Sequence, residues 1–152
     1  MAVQPIPTGY HSVTPYLIVN DAARAIDFYQ RAFGATELFR LPTPNGKIAH
    51  AEIKIGDSPV MLADEMEGYK GPLALGGTGV SLMIYVPDVN KMFPQALAAG
   101  ATQQRPLADQ FYGDRTGTVV DPFGHVWTIA THTEDVAPEE IDRRFKKMMQ
   151  EG

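Results

Sequence analysis

His50 and Glu52 stand two residues apart in the stretch Lys47-Ile48-Ala49-His50-Ala51-Glu52-Ile53-Lys54. Strand alternation puts them on one face with Ile48 and Lys54, and puts Ala49, Ala51, Ile53 and Ile55 on the other. An imidazole beside a carboxylate suits a general base with its orienting partner, or two ligands of a metal; the bland alternative is a solvated strand face with a loose ion pair. His11 is a candidate third ligand for such a site, against the simpler reading of a surface histidine. A second group is Phe111-Tyr112-Gly113-Asp114-Arg115, where Tyr112 offers a stacking surface and Arg115 a forked donor for an anionic or carbonyl group. An internal Asp114–Arg115 arrangement that only shapes its loop is the structural alternative.

Other chemistries are excluded by what is missing. With no cysteine, the chain has no thiolate nucleophile, disulfide or Cys-type zinc site. It has no glycine-rich phosphate loop, no Gly-x-Ser-x-Gly elbow and no His-Glu-x-x-His helix. A net charge of −5 leaves no excess cation to displace counterions, so nucleic acid is not an expected partner. No apolar run approaches the roughly 18 residues that cross a bilayer, and the start, Met1 to Pro7, lacks a basic segment followed by an apolar one. The expectation is a cytoplasmic protein without a membrane partner. With 44% hydrophobic residues the chain can build a sizeable core, and 152 residues suit a single domain.

The elements that must position these side chains recur. Ser12–Val19 reads as a strand, Asn20-Asp21 as a helix start, and Ala25, Ile26, Tyr29, Ala32 and Phe33 as one helical stripe closed by Gly34. Strands are expected at Thr36–Leu41, Lys47–Ile55 and Pro59–Ala63. The order then returns: strand Val80–Val86, a helix starting at Asn90 so as to accommodate Pro94, and strands near Thr102–Arg105, Thr116–Val120 and His125–Thr131. Asp21 falls on Asp88, Gly34-Ala35-Thr36 on Gly100-Ala101-Thr102, and Val60 on Val126, at offsets of 67 (88 − 21), 66 (100 − 34) and 66 (126 − 60). The implied fold class is α+β, two βαβββ modules at about 11–67 and 78–133, joined by a flexible glycine-rich linker at 64–79. A C-terminal helix is expected at about 138–150, with Ile141, Phe145, Met148 and Met149 as its apolar face.

Asp121-Pro122-Phe123-Gly124 has the spacing of a type I turn, so Asp121 is structural. Trp127 belongs to the core, and His125 and His132 to the surface. Met61, Met66, Met83 and Met92 either soften a pocket wall or fill gaps.

Thr14-Pro15-Tyr16-Leu17-Ile18-Val19-Asn20-Asp21, continuing to Ala35, resembles the opening of PhnB-like proteins of the vicinal-oxygen-chelate, or glyoxalase/bleomycin-resistance/dioxygenase, superfamily. Val119 to His132 resembles their closing segment. The resemblance implies curled mixed sheets around a cavity, commonly completed in a homodimer, and four inward metal ligands in the superfamily's enzymes. Carried over, those positions are Thr14, Leu62, Ser81 and Thr128, within about one residue. Two threonines, a serine and a leucine make no ligand set, so no metal cofactor is expected. The implied function is a metal-free small-molecule-binding protein, sequestering or carrying an organic ligand with Tyr112, Arg115, Thr14, Ser81, Thr128 and Asp114. The alternative is a lyase, isomerase or dioxygenase using a relocated metal or an acid–base pair at His50 and Glu52.

Overall fold

The computed structural model describes residues 2–152. Its first module runs β1 (Tyr16–Val19), α1 (Ala22–Phe33), β2 (Thr36–Pro42), β3 (Ile48–Ile55) and β4 (Ser58–Asp64). Asp21 caps α1 by accepting the Arg24 N–H, and Gly34 closes it at φ 69°, a left-handed conformation that costs other residues free energy. The sheet has the order β1-β4-β3-β2, with β1 parallel to β4.

A one-turn helix, α2 (Pro72–Leu75), follows. The second module then repeats the plan as β5 (Ser81–Tyr85), α3 (Val89–Ala99), β6 (Thr102–Asp109), β7 (Asp114–Val120) and β8 (Val126–His132), in the order β5-β8-β7-β6. The chain ends in α4 (Pro138–Glu151). No helix among the described residues is long and apolar enough to cross a membrane.

The two sheets place their helices back to back. Gln95 of α3 donates to the carbonyls of Arg31 and Ala32 at the end of α1. Between the helices and sheets lies an aromatic core of Phe28, Tyr29, Phe33, Phe123 and Trp127. Asp121 ties it together: its buried carboxylate accepts the backbone N–H groups of Phe123 and His125, the Trp127 indole N–H at 2.9 Å and the Tyr29 hydroxyl at 2.5 Å. Burial and this neighbouring carboxylate hold the Tyr29 phenol well above its ordinary pKa. The turn reading of Asp121 and the core reading of Trp127 describe what is seen. A buried carboxylate needs this many donors, and here they come from both modules.

Several expectations are corrected. The stretch 64–79 holds structure: Met66 and Tyr69 exchange two backbone hydrogen bonds, and Gly71 and Pro72 are buried. Gly124, at φ 92°, has no room for a β-carbon because Pro72 lies 2.8 Å from where it would sit. α3 starts at Val89, capped by Asp88, and carries the exposed Pro94 inside it. β6 extends to Asp109 through Pro106, which an edge strand tolerates because its N–H groups need not all pair.

The offset between modules is also sharpened. Asp64 accepts the Ala22 N–H at the start of α1, and Thr131 accepts the Val89 N–H at the start of α3; 131 − 64 and 89 − 22 are both 67. α3 is one residue shorter than α1, which gives the local 66 at the helix ends. On the last strands the offset of 67 sets Met61, not Leu62, opposite Thr128.

Candidate functional site

Because the helices cover one face of each sheet, the other faces are open. On the first sheet the open face carries Tyr16, Ile18, Met61, Glu52 and His50, whereas Leu62, Ala51 and Ile53 are fully buried toward α1. Leu62 is therefore a core residue, and Met61 takes its place on the open face. The strand alternation at His50 and Glu52 holds, with one break. The β2–β3 register skips from Leu41↔His50 to Pro42↔Ile48, a bulge that turns Ile48 into the core and Ala49 outward. Asp64 supports that bulge by accepting the Ile48 N–H at 2.7 Å.

A cavity of about 510 Å³ opens on this face, lined by Tyr16, Ile18, Ala49, Ala63, Asp64, Met66 and Tyr69. β1, β3 and β4 supply its floor, and the folded-back Met66–Tyr69 turn supplies a wall. Sequence reading missed Tyr16, Met66 and Tyr69 as a set. The sequence offers Met66 only as one of four methionines that either soften a pocket wall or fill gaps, and Tyr69 as part of a linker, between glycines.

From Tyr16 on the floor a hydrogen-bonded chain runs along the open face of β3. The Tyr16 hydroxyl lies 2.8 Å from His50 Nδ1, and His50 Nε2 lies 2.9 Å from Glu52 Oε2. Phe39 flanks the imidazole, with ring centres 6.4 Å apart. Partial burial, and then the nearby Tyr69 phenol, raise the pKa of Tyr16, so its hydroxyl keeps its proton at neutral pH.

On the second sheet the residues expected to bind a ligand are dispersed. Ser81 is exposed on β5, and the Thr128 hydroxyl pairs with that of Thr118 at 3.0 Å. Thr14 precedes β1 and is half-buried. Arg115 turns to the helix side, donating to Asn90 of α3 at 2.8 Å and pairing with Asp109 at 3.3 Å. Asp114 is buried on the open face, where its carboxylate accepts the Tyr85 hydroxyl and faces His132 Nδ1, both at 2.7 Å. Tyr112 stands near Tyr85, packed edge-on against Phe111.

The histidines divide differently from expectation. His125 is buried, its Nε2 donating to the Ile18 carbonyl at 2.9 Å and so fastening β1 to the second module. His132 is half-exposed and faces Asp114 with one ring nitrogen and Asp135 with the other. These hydrogen bonds, Asp114 first, raise its pKa. His11 is exposed and does not join His50 and Glu52: no group of three or more His, Asp or Glu is arranged to hold a metal among the described residues. The open-face positions Thr14, Met61, Ser81 and Thr128 offer three neutral hydroxyls and a thioether. That set does not fit the divalent metal of the superfamily's enzymes, which needs imidazole or carboxylate donors.

The model of the Glyoxalase/Bleomycin resistance protein/Dioxygenase superfamily matches residues 9–129. Mb0911c of Mycobacterium bovis is 46% identical over 135 residues, covering 86% of this chain and 89% of its own. Among solved structures, TioX from Micromonospora sp. ML1 superimposes with a TM-score of 0.65 at 32% identity, over 84% of this chain and 100% of its own. The PhnB protein from Bacillus cereus shares the fold, with a TM-score of 0.62 at 18% identity, over 80% and 99%.

Proposed function

The chain belongs to the Glyoxalase/Bleomycin resistance protein/Dioxygenase superfamily, and from that premise we propose that it is a metal-free binding protein for a small, largely apolar organic molecule. It sequesters or carries that molecule as a cytoplasmic homodimer. The observation that carries this reading is the cavity on the first sheet. Its volume falls in the range of small-molecule sites, and two tyrosines, an isoleucine and a methionine form its walls. The donor set at the superfamily's metal positions supports binding over Lewis-acid chemistry, because hydroxyls and a thioether do not offset the stripping of water from a divalent ion.

The dimer rests on exposed surface. Tyr16, Leu41, Met83 and Tyr85 remain 45 to 61% exposed on β1, β2 and β5, apolar area that a second copy related by a twofold axis would cover. One observation favours a catalytic alternative, the Tyr16–His50–Glu52 chain, which has the form of a metal-free acid–base relay.

The test is fluorescence titration with the neutral dye N-phenyl-1-naphthylamine, alongside metal analysis of the purified protein. Saturable dye binding is expected, weakened by Tyr69→Ala and unaffected by chelator. Stoichiometric zinc, nickel or iron, with loss of binding on chelation, overturns the metal-free reading.

A further inference from the structure

The hydrogen-bonded chain that starts at Tyr16 has a direction, and that direction selects a ligand. An ionised Glu52 can only accept, so His50 Nε2, 2.9 Å away, carries the ring proton. In the neutral imidazole the other nitrogen then has a lone pair, and Nδ1 accepts the Tyr16 O–H across 2.8 Å. The Tyr16 proton is thereby committed away from the ligand, while Tyr16 lines the cavity and its phenol oxygen keeps a lone pair beyond the bond to His50. We propose that Tyr16 presents an acceptor to the cavity, held in that polarity by His50 and Glu52, and that the site takes a neutral aromatic molecule bearing an O–H or N–H donor.

This inference rests on the reading of the cavity as a small-molecule site and adds the class of ligand. Two features of the surroundings agree with it. Tyr69 and Met66 give an aromatic and a polarisable wall against which a flat ring can lie. Asp64 also lines the cavity, its carboxylate already engaged by the Ala22 and Ile48 N–H groups, and its negative charge disfavours an anionic ligand. Tyr16 is the residue that touches the ligand; His50 and Glu52 are positioning residues.

Three naphthalene probes of similar size test the inference at pH 8 by calorimetric titration: 1-naphthol, which donates; 1-methoxynaphthalene, which only accepts; and anionic 1-naphthoate. The wild type should prefer 1-naphthol over 1-methoxynaphthalene, and Tyr16→Phe should reduce that preference roughly five- to tenfold, the ratio one net hydrogen bond gives. The affinity for 1-methoxynaphthalene should not change. Glu52→Gln should reduce the preference by less, since the glutamine oxygen still accepts the ring proton only in one of its two orientations. A purely structural role for Tyr16 would weaken all probes together and leave the ratio alone. An unchanged ratio in Tyr16→Phe, or tighter binding of 1-naphthoate than of 1-naphthol, overturns the inference while the cavity reading stands. If no probe binds the wild type, the cavity reading falls and takes this inference with it.

Discussion

Tyr16, His50 and Glu52 on the first sheet and Tyr85, Asp114 and His132 on the second use almost the same side-chain types in opposite order. In the first, histidine sits between phenol and carboxylate. In the second, the carboxylate sits between phenol and histidine. A carboxylate in the middle accepts from both ends, so every proton points inward and the cluster is a clamp. A histidine in the middle passes a donor on one side and an acceptor on the other, so the cluster has a direction that reaches the cavity. The middle residues differ in burial as well: the Asp114 side chain is 4% exposed and that of His50 24%. The difference teaches that a duplicated backbone does not duplicate chemistry. At the offset of 67, Tyr16 corresponds to Met83 (83 − 16) and Ile18 to Tyr85 (85 − 18), so the two clusters arose on non-equivalent positions.

The sharpest way to break this comparison is to remove the middle of the clamp. Asp114→Ala leaves Tyr85 and His132 without their acceptor and should cost about 2–3 kcal/mol, as for lost hydrogen bonds to a buried charged group. Urea unfolding measures it, and a loss no larger than that of a surface substitution would remove the distinction between clamp and relay. Smaller is Tyr85→Phe, which deletes one donor to that carboxylate at a well-exposed ring. About 0.5–1 kcal/mol is expected, with no change in binding of N-phenyl-1-naphthylamine.

His132 gives the clamp a pH dependence. Its two ring nitrogens face two carboxylates, which favours the doubly protonated ring, and its folded pKa is raised above the ordinary 6.5. A raised histidine stabilises fully below the unfolded value and loses that stabilisation as pH rises through the folded one. The melting temperature of the wild type should therefore exceed that of His132→Gln most at or below pH 6.5, with the gap closing as the solution turns alkaline. A gap that widened on the alkaline side would reverse the assigned sign. The smallest effect on stability is expected from Glu52→Gln on the first sheet, within about 0.5 kcal/mol for a partly solvated pair. Its consequence should appear in ligand selectivity, where Asp114→Ala shows none beyond its cost in folding.

Much of the architecture was legible in the chain. The helical stripe Ala25 to Phe33, the caps Asp21 and Gly34 and the Asp121 turn depend on neighbours within a few residues, so local periodicity and turn chemistry reveal them. The return of that pattern 66 to 67 residues later is enough to place two modules, and the resemblance of residues 14–35 and 119–132 to PhnB-like proteins pointed to the superfamily. Site geometry depended on longer range. His50 and Glu52 were visible as a same-face pair, but the bulge at Ala49 is a property of β2–β3 pairing and cannot be read from β3 alone. The bond from Arg115 to Asn90 of α3, 25 positions earlier in the chain, could not be read from the loop that carries Arg115.

The sequence by itself determined the order of elements within each module, the repeat, the core place of Trp127 and the turn at Asp121, because side-chain type and spacing decide these. Only the tertiary structure decided that Met61 rather than Leu62 faces outward, that Met66 and Tyr69 fold back to wall a cavity, and that Tyr16 meets His50 across 34 positions of chain. The physical reason is that a one-residue slip reverses the face of every following strand residue. A contact between side chains on different strands exists only once register, bulges and the path of the connecting segment are all in place.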